Sequence, residues 1–279
     1  MEKGNYQDDY NLALDVINKD ISGFFKTIFY CSNEDLRSLF KNFNFKDKHV
    51  LCVAASSDQY FHCLEHGASD IDLFDINNLT KYYVYLRRWI IKYCGTYYPD
   101  YNKLIDSKDF LKKILLKVNV CSREEQEVYE FWKLFSLSNC SLENLFVKPT
   151  VRDKNEIINL NELSKILDIS NFDFINFDLS DESYILNKKY DVVIISNILE
   201  HFGLDDMKIN NIKDNLINLL NDDGIVICSY VYTTDFDSPR VRERELFDDE
   251  FNCSQISGTY NGHDMPIGYV YTKKNNKKI

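Results

Sequence analysis

Glycine and proline are scarce in this chain, with 9 Gly and 4 Pro in 279 residues. That is under half the roughly 12% the two contribute on average. The shortage excludes collagen-like repeats and low-complexity linkers and fits turn-rich all-β designs poorly. It also means that any nucleotide loop must be built from other residues. Positive charge is short as well. The 33 Lys and Arg face 44 Asp and Glu, for a formal charge of −11 and a pI of about 5.0. Non-specific binding to a phosphate backbone therefore lacks its electrostatic support, and Lys273, Lys274, Lys277 and Lys278 read as a solvated tail. Long hydrophobic runs are missing: VVIIS at 192–196 is far below the roughly 20 residues of a membrane span. The N-terminus, MEKGNYQDDYN, has no apolar h-region of a secretory signal. Eight cysteines form no CxxC pair, which removes the common zinc-ribbon and thioredoxin spacings. Cys52 and Cys228 lie in apolar runs, so reduced, mostly buried thiols in a cytoplasmic protein are expected.

What is present is ample material for a core, 44% hydrophobic and 14% aromatic residues, in a chain long enough for one domain plus an embellishment. Helical spacing covers 8–21 and 33–43, with Ser32 and Asp35 as an S-x-x-D helix start. HVLCVA (49–54) is a continuous apolar run, as in a strand buried on both faces. A polar turn leads to a helix over about 58–66, IDLFDI (71–76) is a second strand, and Asn78 to Tyr93 is an aromatic helix. Residues 95–150 break this rhythm with helical stretches at 110–118 and 124–135 and no strand of the buried type. A helix over 157–167 then precedes strands FDFINF (172–177) and DVVIIS (191–196), and a helix over 209–220. Asp222-Asp223-Gly224 reads as a tight turn before the strand IVICSYVY (225–232). The tail offers a helix near 243–251 and strands near 253–258 and 267–272.

Fivefold strand–helix alternation implies right-handed crossovers and a parallel, doubly wound α/β sheet, closed by an antiparallel C-terminal edge hairpin. The expected organisation is an N-terminal helical cap over 1–45 and an α/β domain over 46–279 with 95–150 as an inserted helical subdomain. Ligands of such sheets bind beyond the carboxyl ends of the strands. After the first buried strand come Ala54, Ala55, Ser56, Ser57 and Asp58, small residues that let a backbone approach a ligand at a helix N-terminus. The second strand ends in Asp75, followed by Ile76, with the acid placed to accept hydrogen bonds from a ribose diol. Asp178 follows the third strand, and its carboxylate beside Phe177 and Leu179 suits an adenine amino group. Ser196-Asn197-Ile198-Leu199-Glu200-His201 follows the fourth, where reacting groups are displayed. Glu200 and His201 are candidates for a general base at the mouth of the site.

With these residues at these strand ends, the sequence resembles the class I S-adenosylmethionine-dependent methyltransferase superfamily over 49–78 and 172–272. The resemblance implies a Rossmann-like methyltransferase sheet. It also implies that Ala54 to Asp58 hold the amino-acid part of S-adenosylmethionine, Asp75 its ribose and Asp178 its adenine. VLCVAASSDQ, DLFDIN opening a long helix, the helical insertion and SNILEHF further resemble the branch containing diacylglycerol 3-amino-3-carboxypropyltransferases. One departure stands out: the superfamily's first loop is acidic and glycine-rich, whereas here Cys52, Ala54, Ser56 and Asp58 take the corresponding places.

The expected activity is S-adenosylmethionine-dependent group transfer, with methyl transfer to a small-molecule or protein acceptor ahead of aminocarboxypropyl transfer. A non-catalytic module binding an adenosine ligand or a protein is the reading of another class. Three other features are read as structural. His62-Cys63-Leu64-Glu65-His66 matches an H-x-x-E-H zinc pattern, but its helix must pack on the sheet, so no metal is expected. The stripe Tyr82, Tyr83, Tyr85, Trp89, Tyr93, Tyr97 and Tyr98 is read as packing against the insertion. Asp235, Asp237 and Asp248-Asp249-Glu250 are read as solvated carboxylates.

Overall fold

The computed structural model describes residues 6–21, 26–32, 34–106, 108–147, 159–182, 186–199, 205–229, 247–260 and 263–274. The chain divides into two interleaved units. The first is Met1–Ser32, Ala54–Asp58 and Asp75–Ser170; the second is Asn33–Val53, Gln59–Phe74 and Asn171–Ile279.

The second unit holds a seven-stranded sheet. Its strands are β2 (His49–Val53), β3 (Asp70–Asp75), β5 (Phe172–Asn176), β6 (Tyr190–Ser196), β7 (Leu220–Ser229), β8 (Phe251–Tyr260) and β9 (His263–Lys273), in the order β5-β3-β2-β6-β7-β9-β8. β2 pairs in parallel with β3 and β6, and β6 with β7; β9 runs antiparallel to β7 and β8. The order runs outward from β2 on one side and resumes at β6 on the other, the reversal that defines a doubly wound sheet. The apolar runs give it a dry centre, with Val50, Leu51, Val193 and Ile194 fully buried. Helices α2 (Leu36–Phe40), α3 (Asp58–Glu65) and α9 (Asp206–Leu219) complete the described elements that fall wholly or largely in this unit.

The first unit is helical. It contains α1 (Tyr6–Asn18), α4 (Leu79–Cys94), α5 (Tyr101–Ile105), α6 (Lys108–Leu115), α7 (Arg123–Leu137) and α8 (Leu160–Ile169). A two-stranded parallel pair joins β1 (Ile28–Phe29) to β4 (Phe146–Val147), each too short for a periodicity to show. The aromatic stripe packs as its spacing predicts: Tyr82 of α4 stacks on Phe131 of α7 at 3.8 Å, and Trp132 Nε1 donates to the Tyr82 carbonyl at 2.9 Å. Arg88 Nη2 donates to the carbonyls of Leu167 and Ser170, tying α4 to the end of α8. Gly95 ends α4 in the left-handed region at φ +65, with its N–H on the Ile91 carbonyl.

Several expectations are corrected. Ser32 does not cap α2; Asp35 does, accepting from Ser38 N–H at 3.2 Å. Asp222 to Gly224 do not leave the sheet. They bulge out of β7, where Tyr190 pairs with Leu220 and Val192 already with Ile225. Phe251 opens a strand, so the helix expected near 243–251 ends before it, and residues 243–246 lie outside the described residues; the insertion carries only the two-residue β4 among the described residues. Of the eight thiols, all free, Cys31, Cys52, Cys63 and Cys228 are buried and the other four exposed. Asp235 and Asp237 lie outside the described residues. No helix among the described residues is long and apolar enough to cross a membrane.

Candidate functional site

In the first unit, the segment Ala54–Asp58 turns sharply without glycine. Ala55 and Ser57 occupy positive φ, at +37 and +70, a region that carries a steric penalty for a residue with a Cβ. The loop thus adopts a backbone that glycine would favour, held by hydrogen bonds. Asp58, fully buried at the start of α3, anchors it. Its Oδ1 accepts from Arg87 Nη2 at 3.1 Å and Tyr97 OH at 3.0 Å, and its Oδ2 from Ser32 N–H at 2.6 Å and Ser56 Oγ at 2.9 Å. Arg87, also fully buried, donates to the carbonyls of Ser56 and Tyr97, and its guanidinium lies 4.7 Å and 4.6 Å from the ring centres of Tyr97 and Tyr98. Burial is the largest single influence and lowers the arginine's pKa, but Asp58 together with Tyr83, Tyr97 and Tyr98 pushes it up overall. With four donors on it, the Asp58 carboxylate shapes the loop from within.

Asp75 joins this loop to the end of β3. Its Oδ2 accepts from Ala55 N–H at 2.9 Å and its Oδ1 from Asn77 N–H at 2.8 Å. Burial pushes its pKa up to about 6, against the lowering effect of those amides and of Thr80. Asn77 in turn donates to the Thr27 carbonyl, and Tyr83 OH to that of Tyr30, so the segment 27–32 is pinned to the same unit. Ile76 presents an apolar side chain that is 46% exposed.

In the second unit, Asp178 Oδ1 accepts from both the N–H and the hydroxyl of Ser180 at 2.8 Å, closing a turn after β5. Leu179 and Phe177 beside it are buried, and Phe177 lies 5.5 Å from the ring of Phe74. Ser196 ends β6 at φ +53, and its hydroxyl lies 3.3 Å from Asn197 Oδ1. Glu200 and His201 lie outside the described residues. The zinc-like motif lies at the end of α3: His62 is fully buried 6.2 Å from the ring of Phe40, and His66 Nδ1 is 3.1 Å from the Phe43 carbonyl. His62, Glu65 and His66 do bring ligand-type atoms within 4.8 Å of one another.

Arg87, Glu34 and Gln59 are the residues that sequence reasoning missed. Arg87 hides in a helix whose aromatic spacing already explains it, and Glu34 in a stretch read as a helix start. A buried charge pairs across the fold, so no local spacing announces it.

No protein-family model matches the chain, and no curated protein does. Solved structures do resemble it. One is the N-methyltransferase NodS from Bradyrhizobium japonicum WM9 with S-adenosyl-L-homocysteine, at 7% identity over 94% of this chain and 98% of that one, with a TM-score of 0.43. Another is the glycopeptide N-methyltransferase MtfA with the same ligand, at 12% identity over 92% of this chain and 95% of that one, with a TM-score of 0.44. A TehB-like SAM-dependent methyltransferase from Corynebacterium glutamicum ATCC 13032 Kitasato shares 10% identity over 97% of this chain and all of that one (100%), with a TM-score of 0.44.

Proposed function

We propose that the chain is an S-adenosylmethionine-dependent transferase that passes a methyl group to a small-molecule or protein acceptor. The observation that carries this reading is the link between the Ala54–Asp58 turn and Asp75 through the Ala55 amide. It couples a tight loop of small residues at a helix N-terminus to a buried carboxylate at the end of the next strand. That carboxylate can accept from a ribose diol while its two backbone donors fix its plane. In the same reading Ala54, Ala55, Ser56 and Asp58 cradle the amino-acid part, Ile76 flanks the sugar, Asp178 and Leu179 meet the adenine, and Asn197 lines the acceptor side. The cofactor, when bound, supplies an electrophilic methyl group on a sulfonium. The chain's share is to align donor and nucleophile, which supplies much of the barrier reduction for such a displacement, and to take up the acceptor's proton at Glu200 or His201.

Calorimetry with S-adenosylmethionine tests this directly. Wild-type protein is expected to bind, and Asp75→Ala or Asp178→Ala to lose binding while remaining folded by circular dichroism. No binding by folded wild type at millimolar cofactor would end the transferase reading and leave a non-catalytic module. The resemblance of DLFDIN and SNILEHF to the aminocarboxypropyltransferase branch supports a second reading, and mass spectrometry of the by-product separates the two. S-adenosylhomocysteine marks methyl transfer; methylthioadenosine marks aminocarboxypropyl transfer. Glu200→Gln is expected to lower turnover with cofactor affinity unchanged, and unchanged turnover would remove it from the mechanism.

A further inference from the structure

Within the second unit, three side chains from distant parts of the sequence meet. Glu34, 3% exposed, precedes α2; Gln59, 1% exposed, is in the first turn of α3; and Ser196 ends β6. Glu34 Oε2 accepts from Gln59 Nε2 at 2.9 Å, and its Oε1 accepts from the Ser196 hydroxyl. Gln59 Nε2 also reaches Ser196 Oγ at 3.3 Å.

The carboxylate settles which way the Gln59 amide faces. Glu34 Oε2 accepts from the NH₂ end. The other end, Oε1, is then buried with no hydrogen-bond partner among the described residues. A buried amide oxygen without a donor is costly, and a fold retains few of them. The groups around it say what would satisfy it. The other end of the same amide is held by the Glu34 carboxylate and reaches Ser196 Oγ at 3.3 Å. An anion would be repelled here, and an alcohol brings one donor along with lone pairs of its own. An ammonium brings three donors, no acceptor and a compensating charge.

We propose that Gln59, Glu34 and Ser196 form a receptor for a protonated amine. The binding claim rests on these side chains; which amine they meet rests on the transferase reading. It is either the α-ammonium of the cofactor or an amine on the acceptor, and the two are separable. Calorimetry compares S-adenosylhomocysteine, which carries the ammonium, with methylthioadenosine, which lacks it, on wild type, Gln59→Leu and Glu34→Gln. If the cofactor supplies the amine, both variants lose at least tenfold in affinity for S-adenosylhomocysteine and none for methylthioadenosine. If the acceptor supplies it, both nucleosides bind all three proteins alike. Ethanolamine hydrochloride then raises the melting temperature of wild type over sodium chloride at equal ionic strength, and this rise disappears in both variants. Normal nucleoside binding in the variants with no ethanolamine effect in wild type overturns the proposal. Failure of wild type to bind either nucleoside instead rejects the transferase reading and leaves the ethanolamine arm to decide the receptor. Both variants are expected to fold, since Gln59→Leu removes the unpaired oxygen and Glu34→Gln keeps the shape.

Discussion

A single carboxyl group, Asp75, combines the proposed cofactor role with a stability role, and pH separates them. Its pKa rises from an ordinary 3.8 to about 6 because it is buried. The folded chain therefore holds this proton more tightly than the unfolded chain does. The stability Asp75 contributes is complete below about pH 4 and is lost as pH rises through about 6, on the order of 3 kcal/mol for two units. Asp75→Asn should remove that part of the slope, read as the difference in urea-unfolding free energy between pH 4.5 and 7. Equal slopes in the two proteins would disprove it. Affinity for an adenosine ligand should move the other way, rising through pH 6 as the carboxylate ionises. The loop beside it supplies a second test. Ser57 holds φ +70 with a Cβ, a strain of roughly 1–2 kcal/mol, while glycine adds about 0.5–1 kcal/mol of unfolded-state entropy. Ser57→Gly is thus expected to stabilise by about 0.5 to 1 kcal/mol in urea unfolding. Gly67 at φ +93 gives the reverse case, and Gly67→Ala should destabilise by about 1 kcal/mol or more. A Ser57→Gly protein less stable than wild type would show that the positive φ costs nothing.

An element as regular as α4 was legible throughout, because Tyr82, Trp89 and their neighbours repeat at helical spacing and the packing against α7 follows. β2 and β6 were legible for the same kind of reason, as continuous apolar runs buried on both faces. The two-residue strands β1 and β4 were not, since two residues carry no period. The bulge in β7 was misread because Asp-Asp-Gly serves a bulge as well as it serves a turn. The largest omission is the tie between α4 and the first loop, since Arg87 and Asp58 lie 29 residues apart in sequence. That tie is the prediction for this scale. Arg87→Met leaves the buried Asp58 carboxylate uncompensated and should cost about 3–5 kcal/mol. Adding Asp58→Asn should restore part of the loss, with a coupling of about 0.5–3 kcal/mol in a double-mutant cycle. Strict additivity would mean that the two charges do not depend on each other.

For the molecule as a whole, the sheet order β5-β3-β2-β6-β7-β9-β8 is doubly wound with an antiparallel pair at one edge, the class of sheet that strand–helix alternation with a closing hairpin leads one to expect. The alternation is a property of the entire chain, and a local misreading such as that at Ser32 leaves it intact. The candidate site was legible in part. Position after a strand nominates Ala55, Asp75, Asp178 and Asn197, but it does not reveal partners such as Arg87 and Glu34 that arrive from elsewhere in the sequence. Charge is the other whole-chain property, and it bears on the acceptor. A net charge of −11 means that approach to a polyanion is repulsive at low salt, and few phosphates would be neutralised on contact. A phosphate-binding protein gains affinity steeply as salt falls, with a log–log slope near −0.9 per phosphate contacted. This chain is expected to show no binding to a 25-base-pair DNA duplex at about 10 μM protein and no gain on lowering sodium chloride from about 200 to 50 mM, measured by fluorescence anisotropy. Binding that strengthens steeply as salt falls would require a local basic surface to override the field of the whole molecule, and would bring nucleic acid back among the acceptors.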